Sequence, residues 1–272
     1  MAQLILLGLV QGLTEFLPVS STTHLLFAEH FLRLPRPGLV LEAVLHLGTA
    51  LAVLMLFWPD VRRLIAAVIR WMRHTRMRGA PGDRPVDDPD SRLAGVVLLA
   101  TVVTAALGLL FLEPLERMFT SVRGAAVQLL ANGLILLLAR ERGLRRAEDA
   151  GALDGLVLGL AQAVSIVPGI SRSGITIAAA LWRGLGREDA ARLSFLVALP
   201  ALVGASLFAL RDLGEAASLG YTPAQLATGF VVSALSGAAA IRWLLAVLRR
   251  SRLGGFALYC WAAGLAVLVA TR

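Results

Sequence analysis

Charge is scarce in this chain: Asp, Glu, Lys and Arg make up 16% of its 272 residues, against 57% hydrophobic ones. That balance, with a mean hydropathy of +0.76, excludes an ordinary soluble domain and reads as an integral membrane protein. Cysteine is nearly absent. The single one, Cys260, excludes an intrachain disulfide and falls in the last apolar run, where it is lipid-facing or packed. Also missing is the basic stretch that opens a secretory signal peptide. The N-terminus is apolar at once and its run is broken by Glu15 and Pro18, so it reads as part of the mature fold. Acidic residues are the minority, 18 against 26 Lys and Arg, for a net charge of +8. The surplus points to the cytoplasmic leaflet of a membrane and not to nucleic acid, because the arginines fall in short connections between apolar runs rather than on one soluble face.

Six apolar runs are long enough for a helix to cross a hydrocarbon core, which takes about 20 residues. They are 40–58, 93–112, 123–139, 190–210, 225–248 and 254–270. The connection after the first is rich in arginine (Arg62, Arg63, Arg70, Arg73, Arg76, Arg78, Arg84, Arg92), as are those after the third (Arg140, Arg142, Arg145, Arg146) and fifth (Arg249, Arg250, Arg252). Those after the second and fourth carry Glu113, Glu116, Asp212 and Glu215. By the positive-inside rule the arginine-rich connections are cytoplasmic and both termini face outward.

Two polar segments interrupt the apolar pattern half a chain apart. The first is Gln11-Gly-Leu-Thr-Glu15-Phe-Leu-Pro18-Val-Ser20-Ser21-Thr-Thr-His24. The second is Gln162-Ala-Val-Ser165-Ile-Val-Pro168-Gly169-Ile-Ser171-Arg172-Ser173-Gly174-Ile-Thr176. Each reads as a short helix, a break at Pro18 or Pro168, and a second helix: 3–16 then 21–33, and 153–166 then 172–183. The first segment precedes a run that begins outside, so it dips in from the outer face; the second lies on a cytoplasmic connection and dips from the inner face. Two such hairpins mark an inverted-topology repeat, with halves 1–140 and 150–272 of one membrane domain covering 1–272. The expected fold class is an all-α polytopic membrane protein with six transmembrane helices plus two re-entrant helix-break-helix hairpins. Broken backbone at membrane depth is tolerated only where it is buried or lines a wet cavity, so the two segments predict a polar cavity. The Gly- and Pro-rich stretch 76–92 reads as a solvated loop, and Gly151, Gly155 and Gly159 as positions of close helix packing.

The chemistry concentrates at the breaks. Ser20 or Ser21 is placed to cap the helix after the first break and Ser171 the helix after the second, leaving helix N-termini that attract anions. Arg172, costly at membrane depth unless paired, fits a bidentate phosphate clamp helped by Ser173 and Thr176; a structural ion pair with Glu15 is the simpler alternative. Gln11 and Glu15, four apart, share a helix face. Glu15 fits a general base, or a hard divalent cation held with Gln11 and the substrate's phosphates. His24, three residues after Ser21, is near enough to share its proton. Glu42 and His46 form a second pair at four-residue spacing, read as an interface or packing feature.

Gln11-xxx-Glu15, the run Pro18-Val-Ser20-Ser21-Thr22-Thr23-His24 and the run Pro168-Gly-Ile-Ser171-Arg172-Ser173-Gly-Ile-Thr176 closely resemble the signatures of the bacterial undecaprenyl-diphosphate phosphatases, the bacitracin-resistance family. The resemblance covers both halves. It implies a multi-pass enzyme of the bacterial plasma (inner) membrane, its active site facing the outer side. Such an enzyme removes the terminal phosphate of undecaprenyl diphosphate and returns the monophosphate carrier to peptidoglycan synthesis. It further implies calcium or magnesium as divalent cation, the lipid and the membrane as partners, and a homodimer. By position, Ser21 resembles the proposed nucleophile and His24 an acid/base group. Glu15 matches the essential carboxylate, and Arg172 with Ser171 and Thr176 the phosphate-binding set, to which Ser20 and Ser173 are added from their place at the breaks. Gln11 stands where many members carry a second Glu, and its amide brings no charge to a metal; Thr23 stands where Gly is usual. A flippase of the polyprenyl phosphate lipid is the rival function, since inverted repeats with broken helices are also a transporter architecture.

Overall fold

Leu4, Leu7, Gly8, Gln11, Gly12 and Glu15 recur at three- and four-residue spacing, and that stripe is the buried face of helix α1 (Ala2–Phe16). Helix α1 ends where expected: Leu17, before Pro18, is extended at φ −69° and ψ 141°. The computed structural model describes residues 1–33, 38–76, 88–111, 121–167, 169–209, 221–250 and 253–271, with ten α-helices and no strand among them. Pro168, Arg78, Arg84, Glu113, Glu116, Asp212, Glu215, Arg252 and the stretch 77–87 of the predicted loop lie outside the described residues.

After α1 come α2 (Ser21–Phe31), α3 (Gly38–Arg76), α4 (Pro89–Leu110) and α5 (Val122–Leu138). A short 3-10 turn, Ala147–Asp149, leads to α6 (Ala152–Val164), α7 (Arg172–Trp182), α8 (Arg187–Ala209), α9 (Pro223–Arg250) and α10 (Gly254–Ala270). Among the described residues four helices are long and apolar enough to cross a membrane: Val40–Arg73, Pro89–Leu110, Arg187–Ala209 and Pro223–Arg250. Helices α1, α5, α6 and α10 are shorter apolar helices. The run expected to end at residue 58 does not end there. Helix α3 kinks at Phe57 (φ −114°, ψ 24°), two residues before Pro59, and continues. Arg62, Arg63, Arg70 and Arg73 therefore lie on a helical extension and not in a loop.

Packing is reciprocal between the first five helices and the last five. Helix α1 lies on α9 and α6 lies on α4, while α5 pairs with α10 and α3 with α8. Small residues bring the backbones together: a Cβ on Gly12 would sit 2.5 Å from Ser233 O of α9, and one on Gly159 would sit 2.9 Å from Ala100 O of α4. Gly155 packs against Val96 in the same way, but Gly151 meets nothing within 4 Å, because it flanks the start of α6. Matching hydroxyls bridge the two seams, Ser236 Oγ donating to Gly8 O at 3.3 Å and Thr104 Oγ1 to Gly159 O at 3.1 Å.

The arginine-rich segments meet at one end of the molecule. Asp60 pairs with Arg63 and Arg192; Arg192 also pairs with Glu148, and Glu188 with Arg249. Buried Asp154, at the start of α6, takes Arg145 at 2.9 Å and Arg183, just past α7, at 2.7 Å. Two arginines and the backbone N–H of Gly151 compensate one buried carboxylate. Helices α6 and α7 thus form a hairpin open toward this end. The α1–α2 hairpin opens the other way, where Leu4 and Leu25 pack with Leu41 of α3, Tyr221 and Leu226 of α9. Exposed Val102, Leu109, Leu110 and Leu258 give the outer surface the apolar character that a lipid solvent suits. Cys260 is buried, which settles it as packed.

Candidate active site

The two breaks face each other across one open pocket of about 270 Å³. Glu15, Ser20, Ser21 and Thr22 line it from the first break, and Ser165, Ile170, Ser171 and Arg172 from the second. The breaks differ in local build. Ser20 holds φ 69° and ψ 99°, a left-handed backbone that is strained for serine, and its side chain caps nothing; its Oγ lies 3.1 Å from Thr23 Oγ1. The expected cap on α2 is therefore missing. Ser171 caps α7 as expected, accepting from Gly174 N at 3.1 Å. Gly169 (φ 96°) lays the second break on α5 so closely that a Cβ would come within 3.0 Å of Ala125 O.

Glu15, 7% exposed, is the hub. Its Oε2 accepts from Ser21 Oγ at 2.6 Å and from Gln11 Nε2 at 2.9 Å, and Arg172 Nη2 stands 3.4 Å from Oε1. Carboxylate, hydroxyl and guanidinium, predicted from segments half a chain apart, come together here. Of the six buried side-chain atoms without a hydrogen-bond partner among the described residues, two lie at this carboxylate: Arg172 Nη1 and Gln11 Oε1. A charged donor and a carbonyl acceptor left open beside one carboxylate fit an anion and a cation respectively.

Four predicted residues do not line the pocket: Gln11, which is bonded to Glu15, and His24, Ser173 and Thr176. His24 is not bonded to Ser21: its Nδ1 lies 2.8 Å from Ser20 O and its Nε2 2.8 Å from Tyr259 OH, with the rings stacked at 5.6 Å. Ser173 donates to Leu17 O at 3.1 Å, tying α7 to the first break. Thr176 points to α8, donating to Arg172 O and lying 2.5 Å from Ser194 Oγ. The helical turn explains Ser173, which follows Arg172 directly and so faces another way; Thr176, four residues on, shares Arg172's face one turn further along α7, and its hydroxyl is taken up by Arg172 O and Ser194 Oγ.

Two residues near the site escaped the sequence reading. His46, read as packing, has Nδ1 2.8 Å from its own helix at Glu42 O and presents Nε2 3.7 Å from Glu15 Oε2. Asn132 of α5, 0% exposed, lies between the breaks. Its Nδ2 donates to Pro18 O and its Oδ1 accepts from Ser171 N, each at 2.9 Å. The available signal was a polar side chain in the middle of an apolar run, whose buried amide must find partners.

A divalent cation can be tested against these donors. Glu15, the open Gln11 Oε1 and Ser21 Oγ are hard oxygen ligands of the kind calcium and magnesium take. Among the described residues no group of three or more His, Cys, Asp or Glu joins them. The set fits a cation that shares its coordination with a bound phosphate.

The family model described as bacitracin resistance protein BacA matches residues 4–266. A relative from Rubrobacter xylanophilus named undecaprenyl-diphosphatase is 43% identical over 275 residues, covering 98% of this chain and 96% of its own. Proteins of the same name from Syntrophotalea carbinolica (42%, covering 96% of this chain and 95% of its own) and Methanobrevibacter smithii (36%, covering 98% and 96%) are also similar. With a family match over nearly its whole length and relatives well above 30% identity, the chain belongs to the bacitracin resistance protein BacA family.

Proposed function

We propose that this protein is an undecaprenyl-diphosphate phosphatase, hydrolysing the terminal phosphate of the lipid diphosphate to leave undecaprenyl phosphate and inorganic phosphate. One observation carries the reading: an unpartnered guanidinium nitrogen of Arg172 shares a pocket with a serine hydroxyl held 2.6 Å from Glu15. A buried donor left without an acceptor costs about 1–3 kcal/mol, and more when charged. A phosphate oxygen satisfies it, in the forked geometry a guanidinium prefers. The relatives named undecaprenyl-diphosphatase supply the rest of the substrate.

In this mechanism Glu15 accepts the proton of Ser21, and Ser21 Oγ bonds to the terminal phosphorus. The bond from that phosphorus to the bridging oxygen breaks, its electron pair leaving with the lipid monophosphate. Water then attacks the phosphoserine, releasing phosphate and returning a proton to Oγ. Arg172 and the N-terminus of α7 stabilise charge on the equatorial oxygens, which is most of what phosphoryl transfer requires. Direct attack by water, oriented by Ser21, is the mechanistic rival. A divalent cation held by Glu15 and Gln11 together with the phosphates would add charge neutralisation. His24, buttressed by Tyr259, supports the backbone at Ser20, and His46 stands behind Glu15 as a second group for its proton.

The same reading includes the membrane layout. Six transmembrane helices and two re-entrant hairpins form inverted halves, 1–140 and 150–272, in the plasma membrane, with the site open to the outer side. Support comes from the hairpins opening toward opposite ends and from the reciprocal seams of α1 on α9 and α6 on α4. That reciprocity also favours a second reading, translocation of the lipid monophosphate. Purified protein in detergent, given undecaprenyl diphosphate, should release phosphate and lose most of that activity to a chelator. No release with calcium or magnesium added would leave the translocation reading ahead.

A further inference from the structure

Between the breaks stands a side chain that belongs to neither motif. Asn132 is fully buried in α5, and apart from Gln128, one turn earlier, its neighbours on that helix are apolar or glycine. Its carboxamide spans the gap, Nδ2 donating to Pro18 O and Oδ1 accepting from Ser171 N, each at 2.9 Å. The partners fix the amide's orientation, since a carbonyl only accepts and a backbone N–H only donates. Its second amide hydrogen is directed to Cys260 Sγ at 3.4 Å. We infer that Asn132 is a positioning residue that holds the break bearing Glu15 and Ser21 in register with the break bearing Ser171 and Arg172; this rests on the function proposed above.

The physical need is specific. Pro18 O lies just past the end of α1 and Ser171 N just before the start of α7, so neither has a helical partner. In a poorly hydrated interior such groups must be satisfied from elsewhere, and one amide satisfies one from each break. The only other side-chain hydrogen bond that ties α7 to the first break among the described residues is Ser173 Oγ to Leu17 O at 3.1 Å. Without Asn132 the breaks stay neighbours but lose their register. Misplacing reacting groups by about 1 Å costs about a hundredfold in rate. Substrate binding, which draws on the prenyl chain and on Arg172, is much less sensitive to that shift.

Two variants separate the two arms of the clamp. Asn132→Leu removes both hydrogen bonds at similar volume, while Asn132→Asp keeps an acceptor for Ser171 N and removes the amide donor to Pro18 O. Each is purified, checked for monodisperse elution and melting temperature, and compared with wild type in phosphate release and in amide exchange of the peptide 169–174. For Asn132→Leu, kcat should fall about a hundredfold with KM within about threefold. Exchange at Ser171 should accelerate about tenfold or more while α5 stays protected. Asn132→Asp should keep Ser171 protected and show a smaller loss of kcat. A folded Asn132→Leu with kcat within about threefold of wild type overturns the assignment. So does a loss of kcat with unchanged exchange at Ser171. If Asn132→Leu does not fold, Asn132→Asp decides: lowered kcat at near-normal KM supports the clamp, and unchanged kcat overturns it. Wild type that releases no phosphate would sink the proposed function instead, while the exchange comparison would still test the clamp.

Discussion

The first break and the second are built on one plan and carry opposite chemistry. Gly8, Gln11 and Ser20 are spaced along the first hairpin as Gly159, Gln162 and Ser171 are along the second. On that spacing Ile166 stands where the first break has Glu15, and Arg172 where it has Ser21. Gln11 donates to Glu15 at 2.9 Å, whereas Gln162 donates to Thr104 Oγ1 at 3.2 Å, a helix seam. The strained break at Ser20 leaves its helix uncapped; the break at Ser171 caps its helix, and the guanidinium of the next residue reaches Glu15. One hairpin therefore supplies the acid and the hydroxyl, the other the positive charge and the ordered backbone. Neither is a site alone, and their difference is what makes their meeting useful.

The comparison breaks most sharply at the hydroxyl. Replacing Ser21 by Ala should lower phosphate release about a thousandfold, as loss of a nucleophile does; activity within about tenfold of wild type would move the mechanism to direct attack by water. Next is the charge on the other break. Arg172→Lys keeps the positive charge but loses the fork, and kcat/KM should fall about a hundredfold, equivalent to about 2.7 kcal/mol. Near-normal turnover would mean the clamp is elsewhere. The smallest effect sharpens the structural half of the contrast. Ser171→Ala should cost about 1 kcal/mol of stability through its lost cap on α7, measured as a lowered melting temperature. Ser20→Ala, with no cap to lose, should cost clearly less.

Much of this arrangement was legible in the residues. The hairpin helices α1, α2, α6 and α7 fall within two residues of the ranges read from the apolar pattern and the prolines, because those signals are local. The extension of α3 past Pro59 was not legible, since an apolar and arginine-rich helix continues on ion pairs to Arg192 and other distant residues that no local pattern reveals. The same limit hid Asn132 and the facing of His46 toward Glu15, each defined by a partner far away in the chain. Ser173 and Thr176 were read by their nearness to Arg172; the helical turn points Ser173 to Leu17, and Thr176, one turn on, is held by Ser194, a partner on another helix that no local pattern reveals. Ser165 lies within the second motif and lines the pocket, but only the fold distinguishes it from the other serines there.

The central claim, that two breaks make one catalytic site, is tested most directly by a double-mutant cycle on single-turnover phosphate release. Glu15→Gln, Arg172→Lys and the double variant are compared with wild type. Because carboxylate and guanidinium stand 3.4 Å apart and line one pocket, the double variant should lose no more than about threefold beyond the worse single variant. Losses that multiply across the two positions would show the breaks acting independently and would contradict the account.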